Sequence, residues 1–239
     1  MSDYGWIGNN MAVRRGNMQR LAIYDMDKTI TRRPTWVPFL ATYARRQWWG
    51  SIALAATVGP TILYLMKQID RARLKEMTQR LVMGRRADMA TVDRMAALFA
   101  GRVVAEDVWP QARARIAADR AEGCRIVLAT ASYDFYVRPI AAALGIDDVI
   151  ATPSTVENGH MLPRIAGENC YGPAKLRMIE AWMARQGMAR GDAHIRFYSD
   201  HVSDAPTLDW ADKAFAVNPH QPLLDLAGAK GWAVLDWRH

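Results

Sequence analysis

Four short apolar runs limit the possible fold most strongly. They are "RLAIYD" at 20–25, "RIVLAT" at 125–130, "HIRFYSD" at 194–200 and "KAFAVN" at 213–218. Each is too short for a helix and ends on polar or small residues, as buried strands do. Helical patterns lie between them. "VRPIAAALGI" (137–146) has apolar residues at helical spacing and Gly145 as a C-cap. "PAKLRMIEAWMARQG" (173–187) opens on Pro173 and closes on Gly187, the usual order of those two residues around a helix. Strands alternating with helices predict an α/β fold: a Rossmann-like, three-layer parallel sheet core. Ligands of such sheets bind at the carboxyl ends of the strands.

Residues 33–110 interrupt the alternation. They read as helical with no convincing strand, which predicts an inserted all-helical cap subdomain. The core is then 20–32 and 111–239, and 1–19 reads as a loose Gly- and Asn-rich tail with no readable secretory leader. "VIATPSTVENGHMLPRI" (149–165) carries an Asn158-Gly159 turn and reads as a hairpin.

The chemistry-bearing residues collect behind the strands. Asp25 and Asp27 follow the first, Thr130 and Ser132 the second, and Asp200 and Asp204 the third, while Lys175 opens a helix. Four carboxylates on one face repel each other, and a hard divalent cation relieves that repulsion. Mg2+ prefers a few carboxylates together with substrate phosphate oxygens. Thr130 and Lys175 would then bind the phosphate.

Asp25-Met26-Asp27-Lys28-Thr29, Thr130, Lys175 and "SDHVSD" (199–204) match in order and spacing the four motifs of the haloacid dehalogenase superfamily. The position of the helical insert, "ATASYDFYVRPIAAALGID" and "FYSDHVSDAPTLDWADKAFAVNP" resemble the phosphoserine-phosphatase-like branch, subfamily IB. The resemblance covers 20–239, with the cap loosely matched. It implies a phosphomonoesterase in which Asp25 is the nucleophile and forms an aspartyl-phosphate. Asp27 is then the general acid and later the base. It implies Mg2+ held by Asp25, Asp200 and the backbone carbonyl of Asp27, with Asp204 supporting the metal shell or orienting Lys175. Thr130, Ala131 and Lys175 would hold the phosphoryl oxygens, and Thr29 and Ser132 would support the site. Superfamily members that dehalogenate lack the second aspartate, so Asp27 points to phosphate esters.

Other readings stand beside this one. Asp25 and Asp27 could be plain turn residues. Asp27-Lys28-Thr29 also resembles the phosphorylated motif of P-type ion pumps, but the chain lacks their multi-span membrane body. Phosphotransfer to an alcohol and non-catalytic phosphate binding are the rival functions. Ser132 competes with Thr130, and His201 reads as exposed rather than substrate-facing. Phosphoserine phosphatases proper carry a glutamate shortly after the first motif. Here "TRRPTW" fills that stretch, and its Arg32 and Arg33 favour an anionic or apolar substrate over a zwitterion. Trp36, Trp48 and Trp49 read as cap–core packing.

The net charge of +7 favours anionic partners. Zinc-finger spacing and RNA-binding signatures are not found, so no nucleic-acid partner is expected. Two cysteines make no disulfide framework and suit a reducing, cytoplasmic setting, Cys124 as a core thiol and Cys170 as an accessible loop thiol. Residues 48–66 form 19 uncharged positions between Arg45, Arg46 and Lys67. They read as a buried cap helix pair broken near Gly59-Pro60, as a peripheral contact with the inner face of the membrane, or as a span. The expected partner is a phosphorylated small molecule or lipid.

Overall fold

The computed structural model describes residues 18–238. The tail predicted for 1–19 lies almost wholly outside the described residues. The chain opens with β1 (Gln19–Tyr24) and a wide helical turn, Met26–Ile30. Four helices follow: α1 (Trp36–Ala44), α2 (Gly50–Ala56), α3 (Val58–Leu65) and α4 (Arg71–Met83). Then come β2 (Ala87–Asp88), α5 (Met89–Glu106) and α6 (Pro110–Ala121). The alternating half is β3 (Arg125–Tyr133), α7 (Asp134–Ala143), β4 (Asp148–Thr152), the hairpin β5 (Ser154–Glu157) and β6 (His160–Ile165), and α8 (Pro173–Arg185). It continues through β7 (Ala193–Ser199), α9 (Ala205–Trp210), β8 (Lys213–Val217), α10 (Gln221–Lys230) and β9 (Ala233–Leu235).

The main sheet has the order β4-β3-β1-β7-β8-β9, and every pairing is parallel. All four expected strands are in it. β1 is central: the chain leaves it toward β3 on one side and returns as β7 on the other. The carboxyl end of β1 is therefore the switch point where a crevice opens. Strand alternation divides the core between two faces. Ala22, Tyr24, Ile126 and Leu128 pack on one face, and Leu21, Ile23, Val127 and Ala129 on the other, all nearly or fully buried.

Local chemistry sets the helix ends. The Asp70 side chain accepts from Arg73 N at 2.7 Å to start α4, and that of Asp88 from Thr91 N at 2.9 Å to start α5. Pro110 and Pro173 open α6 and α8. α7 begins at Asp134, before the expected 137, and runs only to Ala143, with Gly145 beyond it at φ +67°. Gly50 admits no side chain, because an added Cβ would lie 2.0 Å from the Ala44 carbonyl oxygen. It is what lets α2 turn back tightly behind α1.

Three expectations change. The insert contains a strand: β2 pairs antiparallel with β6, Ala87 facing Met161 and Asp88 facing His160. The Asn158-Gly159 hairpin forms, but the 149–152 end of that stretch joins the main sheet as β4. Cys170 is fully buried, not accessible, whereas Cys124 is the core thiol expected.

The uncharged stretch 48–66 divides at Thr57, just before Gly59-Pro60, into α2 and α3. It is not a buried pair. Trp48 is 93% exposed and Leu65 72%, with Ile52, Val58, Ile62 and Met66 also turned outward. No helix among the described residues is long and apolar enough to cross a membrane.

Candidate active site

The first motif sits where β1 ends. Asp25 N donates to Tyr198 O at 2.9 Å, so the sheet ladder runs up to the first carboxylate. Lys28 then takes a left-handed conformation, φ +62°, inside the Met26–Ile30 turn. That region is uncommon for a residue other than glycine, and such strain concentrates at functional sites.

A cleft of about 170 Å3 opens there. Asp25, Asp27, Thr130, Ala131, Lys175, Asp200 and Asp204 all line it, together with Arg71, Tyr171 and His201. The two remaining candidates lie just behind. Thr29 Oγ1 is 3.4 Å from both Asp25 Oδ2 and Asp200 Oδ1, and it accepts from Asp200 N at 3.1 Å. Ser132 Oγ donates to Asp27 Oδ2 at 2.7 Å, and Ser132 N donates to Thr130 Oγ1 at 3.1 Å. Thr130 and Ser132 thus have separate places, Thr130 in the cleft wall and Ser132 against Asp27.

Lys175 is buried between two carboxylates, 2.8 Å from Asp25 Oδ1 and 2.6 Å from Asp204 Oδ2. Burial opposes its charge, but Asp204 and Asp25 more than offset that and hold the ammonium well above its ordinary range. Burial pushes Asp25 up to about 6 even though Lys175 pulls the other way. It pushes Asp200 up to about 8, with Asp25 repelling it as well. Asp204 Oδ1 is buried with no hydrogen-bond partner, while Oδ2 also takes the Ser199 hydroxyl at 2.7 Å.

Asp27 lines the same cleft but has different partners. Its Oδ1 accepts from Thr35 N at 2.9 Å and from Thr35 Oγ1 at 2.7 Å, opposite the Ser132 bond to Oδ2. Two carboxylates two residues apart therefore have different surroundings. Asp25 is held by a cation, and Asp27 by neutral donors.

A profile of haloacid dehalogenase-like hydrolases matches residues 22–209. The chain belongs to that family. A probable phosphatase of Mycobacterium tuberculosis is 29% identical over 217 residues, which cover 90% of this chain and 75% of that one. The solved structure of a protein of unknown function from Bordetella pertussis Tohama I superposes with a TM-score of 0.85 at 27% identity, covering 92% of this chain and 99% of that one. A substrate-bound phosphoserine phosphatase shares the fold, with a TM-score of 0.62 at 16% identity over 91% and 92% of the two chains. The relatives include proteins named as phosphatases, and the fold is shared with solved phosphoserine phosphatases.

Several residues of this hydrolase's site escape sequence reasoning. Thr35 lies in the "TRRPTW" stretch, where the arginines draw attention instead. Those arginines turn away from the cleft: Arg33 pairs with Asp107 at 2.9 Å, and Arg32 lies over the Trp109 ring at 4.6 Å. Arg71, at the start of α4, is the arginine that lines the cleft, with its guanidinium 4.6 Å from the Tyr171 ring centre. Lys75, one turn further on, is buried. It donates to Ala131 O at 2.6 Å and Asn169 Oδ1 at 3.0 Å, and lies 4.1 Å from the Tyr133 ring centre. Burial, with Arg71 nearby, pushes its amine down to about 7. His201 is half-buried in the cleft wall and not simply exposed, its Nδ1 2.8 Å from Ser203 Oγ. Trp36 packs as expected against Tyr133 and Tyr136, Trp49 packs partly against the core, and Trp48 projects into solvent.

Proposed function

We propose that this enzyme is a Mg2+-dependent phosphomonoesterase that works through an aspartyl-phosphate on Asp25. The supporting observation is the contrast between the two aspartates: Lys175 holds one oxygen of Asp25, whereas Thr35 and Ser132 hold Asp27 at the rim. A carboxylate oxygen of Asp25 attacks phosphorus, and the leaving oxygen takes a proton from Asp27. Asp27 then takes a proton from the water that cleaves the acyl phosphate. Lys175 and Thr130 face the phosphoryl oxygens as charge moves onto them.

The donor set fits a hard cation. Asp25 and Asp200 share a single threonine hydroxyl, and buried Asp204 Oδ1 has no partner. Among the described residues no group of three or more His, Cys, Asp or Glu side chains is arranged around one point. The ligands would be the carboxylates of Asp25 and Asp200 with the main-chain carbonyl of Asp27, whose side chain is engaged elsewhere. Mg2+ bound there supplies charge stabilisation for the transferring phosphoryl group.

Residues 33–110 act as the cap, closing over a core formed by 20–32 and 111–239. The substrate is a small or lipid phosphate monoester in the cytoplasm. The outward apolar side chains of α2 and α3, between Arg45, Arg46 and Lys67, suit peripheral contact with an anionic membrane face. Phosphate release from a panel of phosphomonoesters, with and without Mg2+, tests the activity. Mg2+-dependent release that Asp25→Asn abolishes is the expected result, and no release from any ester by folded protein overturns it.

A further inference from the structure

The catalytic cleft is small. Its 170 Å3 is close to that of a buried apolar cavity that takes benzene, about 150 Å3, enough for a phosphoryl group and a short alcohol but not for a long one. A second cavity of about 300 Å3 adjoins it beneath α1–α4, and the two share Asp27, Pro34, Arg71 and Ala131. That volume is about twice that of a buried apolar cavity able to take benzene.

Its large side chains are Trp36, Leu40, Leu54, Tyr64 and Leu74. Its three threonines are spent inside their own helices: Thr57 donates to Leu54 O at 2.6 Å, Thr61 to Thr57 O at 2.8 Å and Thr78 to Leu74 O at 2.8 Å. Trp36 Nε1 donates to Thr78 Oγ1 at 3.1 Å. The Lys75 amine is committed to Ala131 and Asn169. The wall therefore presents mainly hydrocarbon. Arg71, at the junction with the cleft, lies over the Tyr171 ring and has no carboxylate partner among the described residues. Asp27 is the one carboxylate in the lining, and its oxygens already accept from Thr35 and Ser132. An ammonium group would meet only Asp27, which must carry the proton given to the leaving oxygen, and would be repelled by Arg71.

Asp27 also sets the direction. It protonates the leaving oxygen and lines both spaces, so the carbon side of the scissile ester faces the second cavity. We infer that this cavity is the leaving-group subsite and that it selects phosphate monoesters of apolar, chain-like alcohols over amino-acid esters. The inference rests on the phosphomonoesterase reading above and narrows its substrate class.

The test is kcat/KM along ethyl, butyl, hexyl and octyl phosphate, each kept below its micelle concentration, with O-phosphoserine beside them. The expected result is a rise of about fourfold per added methylene until the cavity is full, with O-phosphoserine below butyl phosphate. Leu54→Trp should flatten the rise by filling the cavity, and Thr61→Trp, at an exposed position, should do the same with less risk to folding. A flat or falling series in the wild type, or O-phosphoserine above octyl phosphate, overturns the subsite. Loss of ethyl phosphate turnover in Asp25→Asn checks the catalytic reading separately. With no turnover of any ester, calorimetry of the same series on Asp25→Asn decides: a Kd that tightens with chain length supports the subsite, and a constant Kd overturns it. Two sources supply this chemistry, and both support the subsite. Faster turnover of lysophosphatidate on vesicles than of dispersed octyl phosphate assigns a membrane source, and the reverse assigns a dissolved one.

Discussion

Lys75, on a helix of the insert, donates to the carbonyl oxygen of Ala131 at the end of a core strand, 2.6 Å away. It ties the insert to the strand that carries Thr130. Its folded-state pKa is depressed to about 7 by burial, so from neutral pH up to the ordinary lysine range the unfolded chain binds more protons than the folded one. Stability should therefore rise with pH across that window, and the burial cost should be fully present below it. Lys75→Met keeps the apolar stem and leaves Ala131 O with the Thr152 hydroxyl at 2.7 Å. Urea midpoints measured across the window should climb for the wild type relative to Lys75→Met. Parallel curves would contradict the assignment.

Asp27→Asn should lower kcat by about 10²–10⁴ for poor leaving groups such as alkyl alcohols. The loss should be smaller for p-nitrophenyl phosphate, whose phenolate needs less protonation. Thr35→Val removes the 2.7 Å hydroxyl bond but keeps the backbone bond to Asp27. It should cost roughly 10- to 100-fold, again more for alkyl than for nitrophenyl esters. Equal losses on both esters would place Thr35 in packing alone.

Asp119 lines neither cavity and shows where the core itself is fragile. It accepts from the hydroxyls of Tyr24 and Tyr198 and pairs with Arg115 and Arg196, while Tyr24 stacks on Tyr198 with ring centres 4.2 Å apart. Burial alone would raise its pKa, but these donors outweigh it and hold the carboxyl below the ordinary range. Asp119→Ala leaves the buried Tyr24 hydroxyl without its acceptor and takes a carboxylate from Arg115 and Arg196, which keep Tyr198 and Glu122. The expected loss is about 1–3 kcal/mol, read as a lower denaturant midpoint. Because its folded pKa is depressed, the stabilisation is present above the ordinary aspartate range and lost as pH falls through the folded value.

The outward face of α2 and α3 predicts flotation of the wild-type protein with anionic vesicles at low salt. Each basic residue near such a surface is worth about 1 kcal/mol. Arg45→Glu with Arg46→Glu should therefore release most of the protein, and Trp48→Ala some of it. Failure to float at low salt would remove the membrane contact, while the chain-length test of the cavity would still stand.

The sequence by itself determined the parallel sheet, because each buried strand must be a short apolar run that ends where the chain turns into the crevice. It determined most of the candidate site for the same reason: Asp25, Thr130, Asp200 and their neighbours are fixed to strand ends whose order follows from topology. Tertiary structure alone decided what contacts that site from elsewhere. Thr35, Arg71 and Lys75 carry no local signal, since a threonine beside two arginines and basic residues on a helix read the same in solvent as in a cleft. The burial of Cys170 and the outward face of 48–66 were equally illegible. An apolar stretch records that hydrocarbon is present, but only the packing of α1 and α4 decides which of its faces is covered and which is left to line a cavity or meet solvent.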